Sequence, residues 1–328
     1  MRIPSNRYAR RMITIPVVLL LVVVLTAGLV LIPLTLLFDL VRWMVTRRPF
    51  MATRLLVFGW LYVVLDTMAT LALLVSWLVS GFGLVKPVLF RLSYWAQKWW
   101  ARAVFGGFRL VLRVKLEMEG DEEIEPGPVS VMVRHVSIID TLIPIVAGSR
   151  HGMIPRYILK KELLVDPPLD IAGNWIPNYF VDRTGESAAE VGSIAALAQG
   201  MGRREMLVIY PEGTRFTPDK RRRALKRLER SDSGFHERAA RLQRVLPPRP
   251  GGPLALLDAG HDVVIGMHTG LEALGTVADA WAGGVVGSTA RVRFVRYPGA
   301  EIPAGRGDRL DWLFARWAEV DAWLAEQA

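Results

Sequence analysis

His135 and Asp140 stand five residues apart in Arg-His-Val-Ser-Ile-Ile-Asp, Arg134 to Asp140, directly after the apolar run Val129–Val133. A carboxylate beside an imidazole holds one ring nitrogen protonated and leaves the other free to take a proton, which is how a general base is built. Whether these two side chains meet is decided by the backbone. Five residues on an α-helix turn through about 500° and leave the side chains about 140° apart. Five on a strand put them on opposite faces. The spacing therefore needs a break between elements: a strand ending near Val133, a turn, and a helix starting near Ile138. Asp140 then falls in the first helical turn, where the helix N-terminus favours an ionised carboxylate. Ser137, two residues along that turn, is poorly placed for attack assisted by His135.

A second stretch, Tyr210-Pro-Glu-Gly-Thr-Arg-Phe-Thr-Pro218, follows the apolar run Met206–Tyr210. In an open α/β sheet, ligands gather at the carboxyl ends of strands. Pro211, Gly213 and Pro218 read as a turn in which the backbone approaches a ligand. Arg215 supplies a planar fork of donors suited to phosphate, and Glu212 is placed to orient Arg215 or to accept from a substrate hydroxyl. Each stretch also has a plainer reading, as a core or surface histidine and as an ordinary turn with a salt-bridged pair.

The elements that must position these residues follow a membrane-like segment. Residues 12–38 form a run of 27 without a charge, and 55–85 form a second with Asp66 as the sole charge. Both exceed the roughly 20 residues that span a bilayer, and the first is too long for the apolar core of a cleaved signal peptide. Asp66 reads as a helix-packing or interfacial residue. The connector, residues 39–54, is basic, as is the N-terminus, so the charge rule for orientation conflicts with itself. Two spans or a hairpin dipping into one leaflet both fit. In residues 86–109, Arg91, Lys98 and Arg102 mix with Trp95, Trp99, Trp100 and Phe105, which suits either a headgroup-level helix or a helix covering its own core.

From about Leu110 the pattern is α/β. The runs 129–133, 206–210 and 263–267 read as buried strands, and 188–201 and 310–328 as amphipathic helices. This alternation predicts a mostly parallel sheet flanked by helices. The segment 220–249 is charged, ends in Pro-Pro-Arg-Pro-Gly-Gly, and reads as a surface insertion. With no cysteine among 328 residues, thiol catalysis and cysteine metal sites are excluded. Five histidines without paired spacing argue against a metal hydrolase. The formal net charge of +10 favours anionic partners such as phosphorylated substrates and acidic lipid.

Taken together, H-x-x-x-x-D at His135 and Asp140 and E-G-T-R at Glu212, Gly213, Thr214 and Arg215, some 70 residues apart behind a membrane segment, resemble the glycerolipid acyltransferase family. Its best-known members are the 1-acyl-sn-glycerol-3-phosphate acyltransferases. The longer string YPEGTRFTP, a basic insertion and LPPRPGGPLALLD look most like the branch containing lysophosphatidate and lysocardiolipin acyltransferases. The family's second motif is matched loosely by Gly173 to Arg183, with Arg183 as its phosphate-binding candidate. Its fourth is matched at best by Val263–Met267, without the usual proline.

The resemblance implies a membrane anchor over residues 1–109 and a catalytic domain of glycerol-phosphate-acyltransferase type over 110–328. It implies transfer of an acyl chain from acyl-CoA or acyl carrier protein to the free hydroxyl of a lysophospholipid, with no cofactor, no metal and no nucleic acid. His135 would be the base and Asp140 its orienting acid. Arg183, Glu212, Gly213, Thr214 and Arg215 would bind substrate. The expected location is a bacterial inner membrane, with the catalytic domain cytoplasmic. Another lysophospholipid or a glycolipid is the alternative acceptor, and a non-catalytic membrane-binding protein the alternative class.

Overall fold

The computed structural model describes residues 6–181, 188–230 and 234–327. In chain order the helices are α1 (Arg7–Gly28), α2 (Ile32–Thr46), α3 (Met51–Val79), α4 (Lys86–Leu112), α5 (Ile143–Arg150), α6 (Pro167–Gly173), α7 (Ala188–Ala198), α8 (Pro218–Arg230), α9 (His236–Arg241), α10 (Gly251–Leu257), α11 (Val277–Ala282) and α12 (Arg306–Glu326). The strands are β1 (Lys115–Glu119), β2 (Val129–Val133), β3 (Ile154–Lys160), β4 (Tyr179–Val181), β5 (Glu205–Ile209), β6 (Asp262–Thr269) and β7 (Thr289–Tyr297). The chain divides into two compact units. One comprises Met1–Lys115, Leu159–Arg183 and Ala278–Ser288, the other Leu116–Ile158, Thr184–Val277 and Thr289–Ala328.

In the first unit α1 and α2 are joined by a single 3-10 turn, Leu29–Leu31, and run together for 40 residues. This helix and α3 are each long and apolar enough to cross a membrane. At about 1.5 Å per residue the first is roughly twice the thickness of a bilayer's hydrocarbon core. The expected basic connector over 39–54 is much shorter in the structure: α2 continues to Thr46, and only residues 47–50 separate it from α3. The reason is Asp39. It is buried on α2 and accepts the N–H groups of Ala52 (3.2 Å) and Thr53 (2.8 Å) at the start of α3. Those N–H groups have no acceptor within their own helix, so a carboxylate there satisfies them and complements the helix dipole.

Helix α4 turns one face inward, with Ala96, Trp100, Ala101, Val104, Phe105 and Phe108 buried, while Trp95 and Leu110 stay exposed. A Cβ on Gly107 would lie 2.3 Å from Leu61 Cδ2, so α3 and α4 approach closely there and a larger residue would have to move the Leu61 side chain. Asp66 is buried rather than lipid-facing. Helix α6 joins this core through Ile171 and Ala172, which pack with Leu73 and Ala96. It is also tied to the first turns of α1. Asp170 receives Arg10 Nε at 3.1 Å and a second Arg10 nitrogen at 2.6 Å, with Arg11 Nε at 3.2 Å, and both Arg10 and Asp170 are buried.

The second unit is built on a sheet whose strands run in the order β1-β7-β6-β2-β5-β3. β2 is parallel to both of its neighbours, β5 and β6, and β3 is parallel to β5. β7 is antiparallel to β6. This is the mostly parallel, helix-flanked sheet that the sequence predicts. Every residue of β2 is buried, as a central strand covered on both faces requires, which is why it reads as an apolar run interrupted only by Ser130.

Replacing Asp170 by Ala leaves Arg10 buried without its carboxylate. Removing one partner of such a pair costs about 3–5 kcal/mol. Thermal unfolding of the detergent-solubilised chain is expected to shift to clearly lower temperature in Asp170→Ala. An unchanged unfolding temperature would show that this pair does not hold α1 to α6.

Candidate active site

Three adjacent parallel strands, β5, β2 and β6, end on one edge of the sheet. The chain that leaves each of them carries the residues of interest: Arg134 to Asp140 after β2, Tyr210 to Phe216 after β5, and His268 at the end of β6. β2 stops at Val133 and a 3-10 turn, Ile139–Leu142, leads into α5. That is the break between elements which the spacing demanded.

Across it, His135 Nδ1 and Asp140 Oδ1 meet at 2.9 Å. The other oxygen, Oδ2, accepts the N–H groups of Val136 and Ser137, each at 2.7 Å. Ser137 Oγ accepts the Asp140 N–H at 3.2 Å, so this hydroxyl closes the turn. Asp140 has no exposed surface. Burial pushes its carboxyl up, but the hydrogen bond and charge of His135, with His268 and the backbone, override it and hold Asp140 below the ordinary carboxylate range. With Asp140 ionised, Nδ1 of His135 is the protonated nitrogen. Nε2 has no partner among the described residues, and the side chain retains some exposure.

Glu212 lies beneath this turn. Its Oε1 accepts the His135 N–H at 3.1 Å and its Oε2 accepts the Leu246 N–H at 2.9 Å. The Phe216 N–H donates to the His135 carbonyl at 2.7 Å, a second tie between the two loops. Burial pushes the Glu212 carboxyl up to about 8, while the two N–H donors and Arg134 pull it down. The structure therefore does not place Glu212 beside Arg215: both of its oxygens are used on the backbone, and the residue is buried.

Behind Asp140 sits His268, fully buried, with Nε2 donating to the Arg134 carbonyl at 3.0 Å and lying 3.5 Å from Asp140 Oδ2. Burial lowers its pKa, so it is a neutral histidine near pH 7. Arg134 is itself buried, donating to the His268 carbonyl (2.7 Å), to Glu272 (2.6 Å) and to the Arg244 carbonyl (3.2 Å). Tyr210 packs its ring 4.8 Å from that of His135. Burial, with Tyr157 and Asp140 nearby, raises its pKa well above the usual value, and it stays a phenol.

The E-G-T-R turn is held by the Gly213 N–H donating to the Tyr210 carbonyl at 2.9 Å. Gly213 has a φ of 65°, a left-handed conformation that side chains resist. Lys220 Nζ donates to Thr214 Oγ1 (3.1 Å) and to the Arg215 carbonyl (3.0 Å). The Arg215 guanidinium has no hydrogen-bond or ion-pair partner among the described residues. Arg183 lies outside the described residues.

The structure thus brings His135, Asp140 and Glu212 together, with Gly213, Thr214 and Arg215 on the adjoining turn. Arg134, Leu246 and His268, which support His135 and Asp140 from behind, carried no signal in the sequence. The Arg134 and His268 side chains donate to carbonyls remote in sequence, and Leu246 gives its N–H to Glu212, so it is the partners that the sequence does not announce.

Residues 115–251 match the family model described as Acyltransferase. No curated protein matches the sequence. Among solved structures, the 1-acyl-sn-glycerophosphate (LPA) acyltransferase PlsC from Thermotoga maritima is similar over 81% of this chain and 97% of its own, with 16% identity and a TM-score of 0.46.

The position of Glu212 carries a pH dependence. An acid moved from an ordinary value near 4.5 to about 8 on folding binds more protons folded than unfolded between those limits. Its contribution to stability is therefore full below the lower limit and is lost as pH rises through the upper one. Denaturant unfolding of Glu212→Gln, which keeps the neutral form at every pH, is expected to show a flatter fall in stability from pH 5 to 8 than wild type. Parallel profiles would place the Glu212 carboxyl at its ordinary value.

Proposed function

Residues 115–251 belong to the acyltransferase family, and on that premise we propose that this chain moves an acyl group from acyl-CoA or acyl carrier protein to the free hydroxyl of a lysophospholipid. The acceptor is 1-acyl-sn-glycerol-3-phosphate and the product phosphatidate. The observation that carries the chemistry is the pairing of His135 Nδ1 with Asp140 at 2.9 Å, which leaves Nε2 available as a base.

Nε2 of His135 removes the acceptor's hydroxyl proton as the oxygen attacks the thioester carbonyl. The tetrahedral intermediate collapses with loss of the thiolate, which takes the proton back from the imidazolium. Asp140 keeps Nδ1 protonated throughout and stabilises the cation that forms on the ring. It does so without becoming protonated, in keeping with the downward direction in which its donors shift its pKa. Ser137 is fully buried and spends its hydroxyl on the Asp140 N–H, so transfer goes directly from thioester to acceptor with no acyl-serine. The free fork of Arg215 and, from the family resemblance, Arg183 bind the acceptor's phosphate.

The apolar helices hold the chain in the membrane from which the acceptor is drawn and to which the product returns. The catalytic domain faces the cytoplasm of a bacterial cell, where acyl thioesters are made, and a reporter fused to the C-terminus is expected to read as cytoplasmic.

The assay is the purified full-length chain with one acyl-CoA and a panel of lysophospholipids, glycolipids and monoacylglycerol, with products identified by mass spectrometry. Phosphatidate from lysophosphatidate is expected to dominate. His135→Ala is expected to lower the rate by about 10²–10⁴-fold. Asp140→Asn, which keeps the bulk but favours the wrong tautomer, should lose most of it. Full activity in either variant would remove the proposed base, and a glycolipid product would replace the acceptor. An absence of thioester turnover by wild type would point to the non-catalytic class.

A further inference from the structure

Arg249 lies in Val-Leu-Pro-Pro-Arg-Pro-Gly-Gly, 34 residues beyond Arg215 in sequence, yet its side chain crosses the E-G-T-R turn. A Cβ built on Gly213 would stand 2.9 Å from Arg249 Cδ, 3.0 Å from Nε and 3.3 Å from Cζ. Any residue but glycine at 213 would therefore displace this arginine as well as strain the backbone. The placement is fixed from both sides. The Arg249 N–H donates to the Pro211 carbonyl at 2.8 Å. Three residues earlier the Leu246 N–H holds Glu212. Prolines on either side, Pro248 and Pro250, restrict the backbone. The guanidinium so positioned is exposed and has no hydrogen-bond or ion-pair partner among the described residues, and the same absence of partners holds for Arg215, two residues along the turn from Gly213. Two cations without a partner among the described residues are thus offered at the E-G-T-R turn, and one anion would satisfy both.

We infer that Arg249 is the second arm of an anion clamp whose first arm is Arg215, and that the phosphate of the acceptor bridges the two guanidinium groups. Nothing in the sequence motifs assigns Arg249 a role, and the glycine of E-G-T-R gains one: it opens the path along which the Arg249 stem crosses. The clamp is a specificity device, because it acts on the phosphate and not on the reacting atoms. It rests on the reading of the acceptor as a lysophospholipid.

The test compares full-length wild type, Arg249→Ala, Arg249→Gln and Arg215→Ala. Acyl-CoA is saturating, and either 1-acyl-sn-glycerol-3-phosphate or monoacylglycerol is varied. Acyl-CoA is then varied at fixed acceptor. Both Arg249 variants are expected to lose about 10- to 150-fold in kcat/KM on the phosphate acceptor, the range of a charge-assisted contact. The loss should sit in KM rather than kcat, since the contact is made equally before and during the reaction. The loss on monoacylglycerol should be much smaller, and KM for acyl-CoA unchanged. Arg249→Gln keeps the stem over Gly213, so its loss reports the charge rather than the packing. Equal losses on both acceptors, or a loss that follows acyl-CoA, overturn the clamp. If Arg215→Ala alone is selective for the phosphate acceptor, the clamp fails and the lysophospholipid reading stands. If wild type shows no preference for the phosphate acceptor, both fail.

Discussion

A carboxylate without exposed surface must be surrounded by donors, and the arrangement around Asp140 follows from that requirement. Three groups supply it at hydrogen-bond distance: the Val136 and Ser137 N–H groups and His135 Nδ1. His268 stands behind at 3.5 Å. An isolated charge in the interior would neutralise itself by taking a proton, whereas a charge met by this many donors stays ionised. The contact with Nδ1 fixes the ring so that Nε2 faces outward, and the ionised form decides the tautomer that leaves this nitrogen bare. The turn between β2 and α5 is shaped to close on one side chain.

The second buried acid does a different job. Glu212 belongs to the loop after β5, yet it holds the main chain of His135 after β2 and of Leu246 in the segment before α10. Three separate stretches of chain are joined at one carboxyl group. Arg134 repeats the device from the other side, binding the backbone of His268 and Arg244 and the side chain of Glu272. The His135 ring is therefore set by the ends of adjacent strands and by loops that hydrogen bonds cross-link, the kind of support a positioned catalytic group needs. Among the described residues, Nε2 of His135 and the forks of Arg215 and Arg249 have no hydrogen-bond partner on the open side of this framework, and inside it Arg134 Nε, His268 Nδ1 and the Tyr210 hydroxyl have none either.

Much of this was legible in the sequence, for identifiable reasons. β2 is covered on both faces, so its five residues read as an apolar run, and the His135–Asp140 spacing fits no regular element and so marks a turn. The long apolar runs, one without a charge and one with Asp66 alone, announce the long helices. Asp39 misled, because a charge ending an apolar run looks like the end of a helix; its role as a cap for α3 exists only once the two helices pack. The alternating strand β7 (Thr289–Tyr297), with Ala290, Val292 and Phe294 buried and charged residues between them, carries a period of two that is less conspicuous than the parallel runs. In sequence Glu212 points to its neighbour Arg215, while its partners in the fold are backbone N–H groups 77 and 34 residues away. His268 and Arg249 gain meaning only from contacts across the fold.

The direct test of His135 as the proposed base is the protonation state of its ring. Nitrogen-15 spectra of histidine-labelled protein near neutral pH, with the His135 signals assigned by their loss in His135→Ala, report which ring nitrogen carries the proton. A base held by an ionised Asp140 shows the proton on Nδ1, shifted as a strong hydrogen bond to carboxylate requires, and an unprotonated Nε2. A proton on Nε2 with Nδ1 bare would contradict it, since the nitrogen facing the acceptor could then take nothing from the hydroxyl.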